Sequence, residues 1–297
     1  MYVPNKKQKW VTICLFLLPS MIGLLIFCLL AMVASAGYSF LDYDILKPLT
    51  ETKFIGLDNY KRLFQEGELL TTLWHNIQYL IMYIPLIMVT SFVMGLILNK
   101  SFKGYGIVRI IFYTPVITSW VAAAVVWKWI LSGKFGFINQ ALAVIGIQAP
   151  TWLSDPSWAM VGIVLVAVWK DTGYYALFFL AALKGIDSTY YEAANIDGAK
   201  WYQRLFNITL PLISPTIFLL FVYNIIAGFQ VFDSVQIMTG GGPVGSTSVM
   251  MERIYKYGFR SYQMGYAAAW SWVLFGLIFL ATIVQFILQK RWVNYDT

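Results

Sequence analysis

Lys170 and Asp171 stand side by side inside an apolar run that extends from about residue 157 to 183, with Trp169, Tyr174 and Tyr175 beside them. A charge that deep in an apolar segment costs about 2.5–3.5 kcal/mol on insertion scales, so such groups face an interior, a partner or water. As neighbours they point about 100° apart on a helix and cannot share one face. Further along, Tyr223, Asn224, Gln230 and Asp233 repeat the mixture of ring, amide and carboxylate. Rings stack on apolar sugar faces while amides and carboxylates hydrogen-bond hydroxyls, so the set has the composition of a carbohydrate path. Each residue taken singly has a second reading, as polar glue between helices. Lys170 suits an anionic solute equally well, or neutralisation within the protein by Asp171 or a partner's residue.

Covalent chemistry finds no support. His75 is the one histidine and reads as interfacial packing, and no metal-ligand cluster forms around it. Cys14 and Cys28 lie 14 residues apart in one apolar run, about 21 Å along a helix and too far for a disulfide. The sequence contains no Gly-x-x-x-x-Gly-Lys-Ser/Thr loop, no Gly-x-Ser-x-Gly elbow and no His-Glu-x-x-His. Gly240-Gly241-Gly242-Pro243 lacks the lysine of a phosphate loop and reads as a helix breaker. The chain therefore holds no catalytic residues, no metal and no cofactor of its own.

The elements that position these residues follow from composition. Of 297 residues, 59% are hydrophobic and 12% charged, against about 45–50% and about 25% in soluble domains. The bilayer is the fitting solvent. Six segments are long enough to span it, over about 11–36, 76–98, 107–131, 157–183, 206–229 and 266–289, which makes the chain an all-α membrane protein in one transmembrane domain, 1–297. The first segment is about twice a signal peptide's apolar core and is expected to be retained. Trp10, Trp127, Trp129, Trp158 and Trp292 fall near span ends, where amphipathic rings favour the interface. Lys128, between two of them, is expected to snorkel to the headgroups.

The net charge of +7 is not a nucleic-acid signature, because the basic residues sit in short runs flanking the spans. With the N-terminus inside, the inner segments hold Lys6, Lys7, Lys9, Lys100, Lys103, Arg109, Lys184, Lys200, Arg204, Lys290 and Arg291. The longer outer loops hold only Lys47, Lys53, Lys61, Arg62, Lys134, Arg253, Lys256 and Arg260. The positive-inside rule thus places both termini, and the loop 184–205, in the cytoplasm.

That loop and its continuation, residues 190–215, form a polar segment between two apolar runs. Tyr190 to Ile196 reads as a short helix with Ser188 as N-cap. Gly198 suits a left-handed turn, and a second helix begins near Ala199. Small Ala193, Ala194 and Ala199 let another protein approach, while Glu192 and Asp197 add charge. An ordinary amphipathic connector on the membrane surface is the plainer reading of the same pattern.

The order Glu192-Ala193-Ala194, Gly198-Ala199, Phe206, Ile208, Leu210, Pro211 resembles the EAA loop of the sugar-type inner-membrane permeases of ABC importers. So do Phe54-Ile-Gly-Leu-Asp-Asn-Tyr60, Tyr113-Thr-Pro115, Trp152-Leu153, Thr239-Gly-Gly-Gly-Pro243 and Gly265-Tyr-Ala-Ala-Ala269, which extend the likeness over almost the whole chain. The resemblance implies a type I importer permease fold of six helices with a cytoplasmic coupling helix, in the inner membrane. It implies four kinds of partner: a second homologous permease, two ABC ATPase subunits that bind ATP and magnesium, an extracytoplasmic solute-binding protein and a carbohydrate. It also favours a solute-facing role for Lys170, Asp171, Tyr174, Tyr223, Asn224, Gln230 and Asp233, since members place their site along these two spans. A glycerol phosphate or a uronic-acid sugar is the alternative solute. An ion-coupled secondary transporter is the alternative class, and would need internal repeats and more buried carboxylates.

Overall fold

A computed structural model describes residues 6–100, 103–133 and 135–294; Lys134 and the side chains of Lys6, Lys7 and Lys9, which enter the charge reading above, lie outside it. The chain divides into two compact units. One runs up to Gly67 and takes in Ile254–Val273; the other comprises Glu68–Arg253 and continues from Leu274.

In the first unit, α1 (Lys6–Leu24) passes through a π-helical stretch (Leu25–Leu30) into α2 (Ala31–Tyr38). Pro19 sits inside α1. Most of this helix is exposed, Cys14 and Cys28 included. Strands β1 (Leu41–Asp42) and β2 (Lys53–Phe54) pair antiparallel, Leu41 opposite Phe54. Helix α3 (Asp58–Gln65) follows, close to the surface helix expected around Leu57 to Phe64.

Polar side chains fasten this loop. Buried Asn59 donates to the carbonyls of Ser39 (2.9 Å) and Leu41 (3.0 Å), and the Tyr60 hydroxyl donates to Ser39 Oγ (2.8 Å). Arg62 lies 4.0 Å from the Tyr266 ring centre, donates to Gln263 (2.9 Å) and pairs with Glu66 (2.6 Å). Tyr266 donates to the other Glu66 oxygen at 2.7 Å. Burial alone would push the Glu66 carboxyl up, but the hydrogen bonds from Arg62 and Tyr266 outweigh it and hold the group below the usual carboxylate range. This stabilisation is complete at neutral pH and is lost as pH falls through the lowered value.

The second unit is helical. It contains α4 (Glu68–Asn99), α5 (Tyr105–Ile117), α6 (Trp120–Ile130), α7 (Phe137–Val144) and α8 (Pro156–Lys184). Then come α9 (Ser188–Ile196), α10 (Trp201–Arg204), a π-helical stretch (Leu205–Thr209), α11 (Leu210–Leu212), α12 (Ser214–Phe229) and α13 (Asp233–Met238). Helices α14 (Met250–Tyr255) and α15 (Met264–Leu288) complete the order, and each has residues in both units. The core lies along the seam of α4 and α8, where Met94, Leu98, Ala176 and Leu180 are buried together under Tyr105, Val108 and Phe112. Thr90 and Thr172 meet across the same seam at 3.2 Å. Buried Asn76 of α4 donates to the Phe229 carbonyl (3.3 Å) and accepts from the Met250 amide (2.9 Å), while His75 Nδ1 donates to the Ser248 carbonyl (3.0 Å).

Among the described residues, four helices are long and apolar enough to cross a membrane, Trp10–Tyr38, Glu68–Asn99, Pro156–Lys184 and Met264–Arg291. The two remaining expected spans are not continuous helices. The segment expected over 107–131 is broken between α5 and α6 and bends by 103°; that over 206–229 is broken between Leu212 and Ser214 and bends by 66°. Counting each bent pair as one span gives up to six. At the first break, the Thr118 amide and hydroxyl both donate to the Pro115 carbonyl, at 3.3 and 2.6 Å, offering the backbone an alternative to the helix. Ser119 is extended. At the second, Pro215 lies in the first turn of α12 and has no amide hydrogen to give the carbonyl one turn back, so the backbone ladder lapses there. The Lys128 ammonium is exposed and donates to the Ile237 carbonyl of α13 at 3.2 Å, closing the last turn of that helix.

Asn59→Ala removes two hydrogen bonds to buried carbonyls and is expected to lower stability by about 1–3 kcal/mol. The check is an apparent Tm in detergent, which should fall by several degrees relative to the parent chain.

Candidate functional site

A cavity of about 480 Å³ opens in the second unit between α4, the break of α5 and α6, α8, and the end of α12. Six of the seven path residues expected from sequence line it: Lys170, Asp171, Tyr174, Tyr223, Gln230 and Asp233. Asn224 does not. It is fully buried, and its amide donates to the Leu220 carbonyl at 2.7 Å. Its helical neighbour Tyr223, pointing about 100° away, does face the cavity and is half-exposed.

The sequence reading missed Tyr79 and Tyr83 of α4, and Thr118 and Trp120 at the break, and noted Tyr175 of α8 only as a neighbour of the charged pair; all of them line the cavity. Tyr79 and Tyr83 are four residues apart, share one face of α4 and stack at 5.2 Å. That spacing of polar aromatics in an apolar helix is the signal that would have found them. The Tyr83 hydroxyl donates to Asp171 Oδ2 at 3.0 Å. Tyr174 and Tyr175 stand 6.5 and 6.1 Å from Tyr223, which joins α8 to α12 across the cavity. Lys170 behaves differently from its neighbours. It is 4% exposed, and its ammonium donates to the carbonyls of Pro115 (3.1 Å) and Val116 (3.4 Å). The wall thus offers rings to stack on and carboxylate, amide and phenol groups to hydrogen-bond.

A second constellation is the segment after α8. Asp187, not Ser188, caps α9: its carboxylate accepts from the Thr189 amide at 2.9 Å, and this hydrogen bond lowers its pKa. A carboxylate is the stronger acceptor, which leaves the Ser188 hydroxyl to donate to Glu192 at 3.0 Å. Gly198 adopts φ +72°, and the Ala199 amide donates back to the Ala194 carbonyl (2.8 Å) while the Gly198 amide donates to that of Asn195 (3.1 Å). These two bonds form a Schellman stop, which glycine fills without Cβ strain. The chain restarts at Lys200, whose amide donates to Gln203 at 2.7 Å. Tyr191 ties the loop back to the next helix through Thr209 at 2.9 Å. Glu192, Ala193, Asp197 and Gly198 are exposed, Ala199 is half-buried and Ala194 is buried. Beside them Ile196 is 87% and Trp201 70% exposed, an apolar surface that the described residues leave uncovered.

Long apolar helices around a polar cavity, joined by a loop with a free face, define a multi-pass membrane transport protein. Residues 66–294 match the family described as binding-protein-dependent transport system inner membrane component, and the chain belongs to it. It is 37% identical over 290 residues to the probable ABC transporter permease protein YesP of Bacillus subtilis (strain 168), covering 95% of this chain and 91% of that one. It is 31% identical over 270 residues to the trehalose/maltose transport system permease protein MalF of Thermococcus litoralis, covering 91% and 90%. Its fold matches a chain in the crystal structure of a bacterial alginate ABC transporter in complex with alginate pentasaccharide-bound periplasmic protein, with TM-score 0.84, 24% identity and 96% of both chains covered. The chain is therefore a permease subunit of an ABC importer in the inner membrane; it is not an enzyme, and ATP hydrolysis belongs to a separate subunit.

The cavity assignment is checked by thiol accessibility. In a chain with Cys14→Ala and Cys28→Ala, Tyr223→Cys should react with a membrane-impermeant maleimide at least tenfold faster than Asn224→Cys. Equal rates would place Asn224 in the cavity wall as well.

Proposed function

We propose that the imported solute is a carbohydrate and that the cavity between α4, α8 and α12 is part of its path. The observation that carries this reading is the wall itself, in which Tyr79, Tyr83, Tyr174, Tyr175, Tyr223 and Trp120 surround Asp171, Gln230 and Asp233. Rings beside carboxylate and amide acceptors are the chemistry that holds polyhydroxylated molecules. The names of the MalF relative and of the alginate importer lend support. A homologous second permease would close the open side of the cavity. The whole chain, 1–297, acts as one permease domain with six spans, two of them bent.

The segment Ser188–Lys200 is the coupling element, with Glu192, Ala193, Ala194, Asp197, Gly198 and Ala199 as its working residues. Both termini and this loop lie in the cytoplasm, as the distribution of lysine and arginine requires. One ATPase subunit seats on the exposed face formed by Ala193, Ile196 and Trp201, and a second serves the partner permease. ATP and magnesium bind there; this chain needs no cofactor. An extracytoplasmic binding protein delivers the sugar to the outer loops. ATP-driven closure of the ATPase pair then moves α9 as a rigid body, and the Tyr191–Thr209 bond passes that movement to the helices beyond.

The test is Gly198→Pro. Proline fixes φ near −65° and cannot occupy a position at +72°. In proteoliposomes holding the assembled importer, its binding protein and the sugar that protein binds, uptake should fall at least tenfold while ATP hydrolysis continues. Normal uptake would rule out the coupling role.

A further inference from the structure

The bend between α5 and α6 creates a problem that one side chain answers. A helix that ends inside an apolar environment leaves the carbonyls of its last turn without amide partners, and each unsatisfied group there costs several kcal/mol. The Thr118 amide and hydroxyl reach the Pro115 carbonyl. Lys170 then donates to Pro115 and Val116 together, and its ammonium stands 5.1 Å from the centre of the Trp120 ring, the first residue of α6. One charged group from α8 thus touches both sides of the break. Three residues on, Gly173 abuts the Phe112 carbonyl, where a Cβ would collide with it, so α5 and α8 meet backbone to backbone. That approach keeps Lys170 within reach.

The adjacent carboxylate does not compete for the ammonium. Among the described residues no carboxylate lies within ion-pair distance of Lys170, and Asp171 is turned to the Tyr83 hydroxyl. An ammonium has three donors and no acceptor; two carbonyls and an indole face absorb its charge within the protein.

We propose that Lys170 is a positioning residue: it pins the break between α5 and α6, and thereby holds Thr118 and Trp120 in the cavity wall, instead of meeting a charge on the solute. This rests on the cavity being the solute's path, but its test needs no transport. The solute then meets Asp171, Asp233 and the phenols, and the charge of Lys170 sets no preference for an anion.

The experiment reads the bend directly. Exposed Ile107 of α5 and Val126 of α6 are replaced by cysteine in the Cys14→Ala, Cys28→Ala chain, within the assembled importer, and carry nitroxide labels for pulsed electron-electron resonance. A straight helix would place the two Cα atoms about 28 Å apart, and the bend brings them roughly 10 Å closer. A control pair, Val89→Cys with Leu165→Cys, joins exposed positions of α4 and α8. Lys170→Met should at least double the width of the 107–126 distribution or move it toward the straight value, and leave the control pair unchanged. Lys170→Gln, which keeps donors without charge, should retain the parent distribution. An unchanged 107–126 distance in Lys170→Met would overturn the proposal, as would a Gln variant disturbed like Met, or a control pair that broadens equally. If the Met variant does not assemble, the Gln variant decides alone: the parent distance supports the pin, and an altered one refutes it.

Discussion

A chain that bends inside hydrocarbon must find partners for the carbonyls it frees, because no water is there to take them. The architecture around the cavity depends on that constraint. The break at Thr118 and Ser119 turns α6 through 103° from α5 and opens a polar concavity beside α8. The concavity persists because Thr118 and Lys170 occupy the freed carbonyls. A straight third span would have satisfied its own backbone and left Asp171 facing lipid or a packed helix. The costliest residue in the membrane segment is thus set where it removes another cost.

Much of this was legible in the sequence, and its limits have physical causes. Hydropathy located four segments that are continuous long helices, and two more that are bent pairs, because a window counts apolar residues and is blind to direction. A proline stands near each break, Pro115 and Pro215, but a proline kinks one helix and leaves another intact, as Pro85 inside unbroken α4 shows. Pairs of adjacent polar residues were ambiguous for a geometric reason. Tyr223 faces the cavity while Asn224 packs away from it, and Lys170 and Asp171 both reach the cavity but turn to different partners; only the neighbouring helices determine which. The turn at Gly198 was readable because it is local: helix, left-handed glycine and restart all lie within one short stretch.

Motif words acquire reasons in the structure as well. Asn59, in the stretch from Phe54 to Tyr60, holds the carbonyls of Ser39 and Leu41. Gly265, opening the final helix, donates its amide to the Tyr43 carbonyl at 3.0 Å. These distant pieces of sequence close on one another through backbone atoms that periodicity cannot register. The loop after α8 is the opposite case, a self-contained stop-and-restart whose outward face, with Ile196 and Trp201, stays exposed among the described residues. Rigid internally and uncovered externally, it has the physical character of a docking bracket.

The central claim is that energy enters this permease through that bracket, and a photo-crosslinking amino acid at Ala193 tests it most directly. Illumination of native membranes should join the chain to an ABC-type ATPase polypeptide, with the yield changing when ATP is supplied or removed. Adducts confined to lipid, with no nucleotide-binding polypeptide at any ATP concentration, would contradict it.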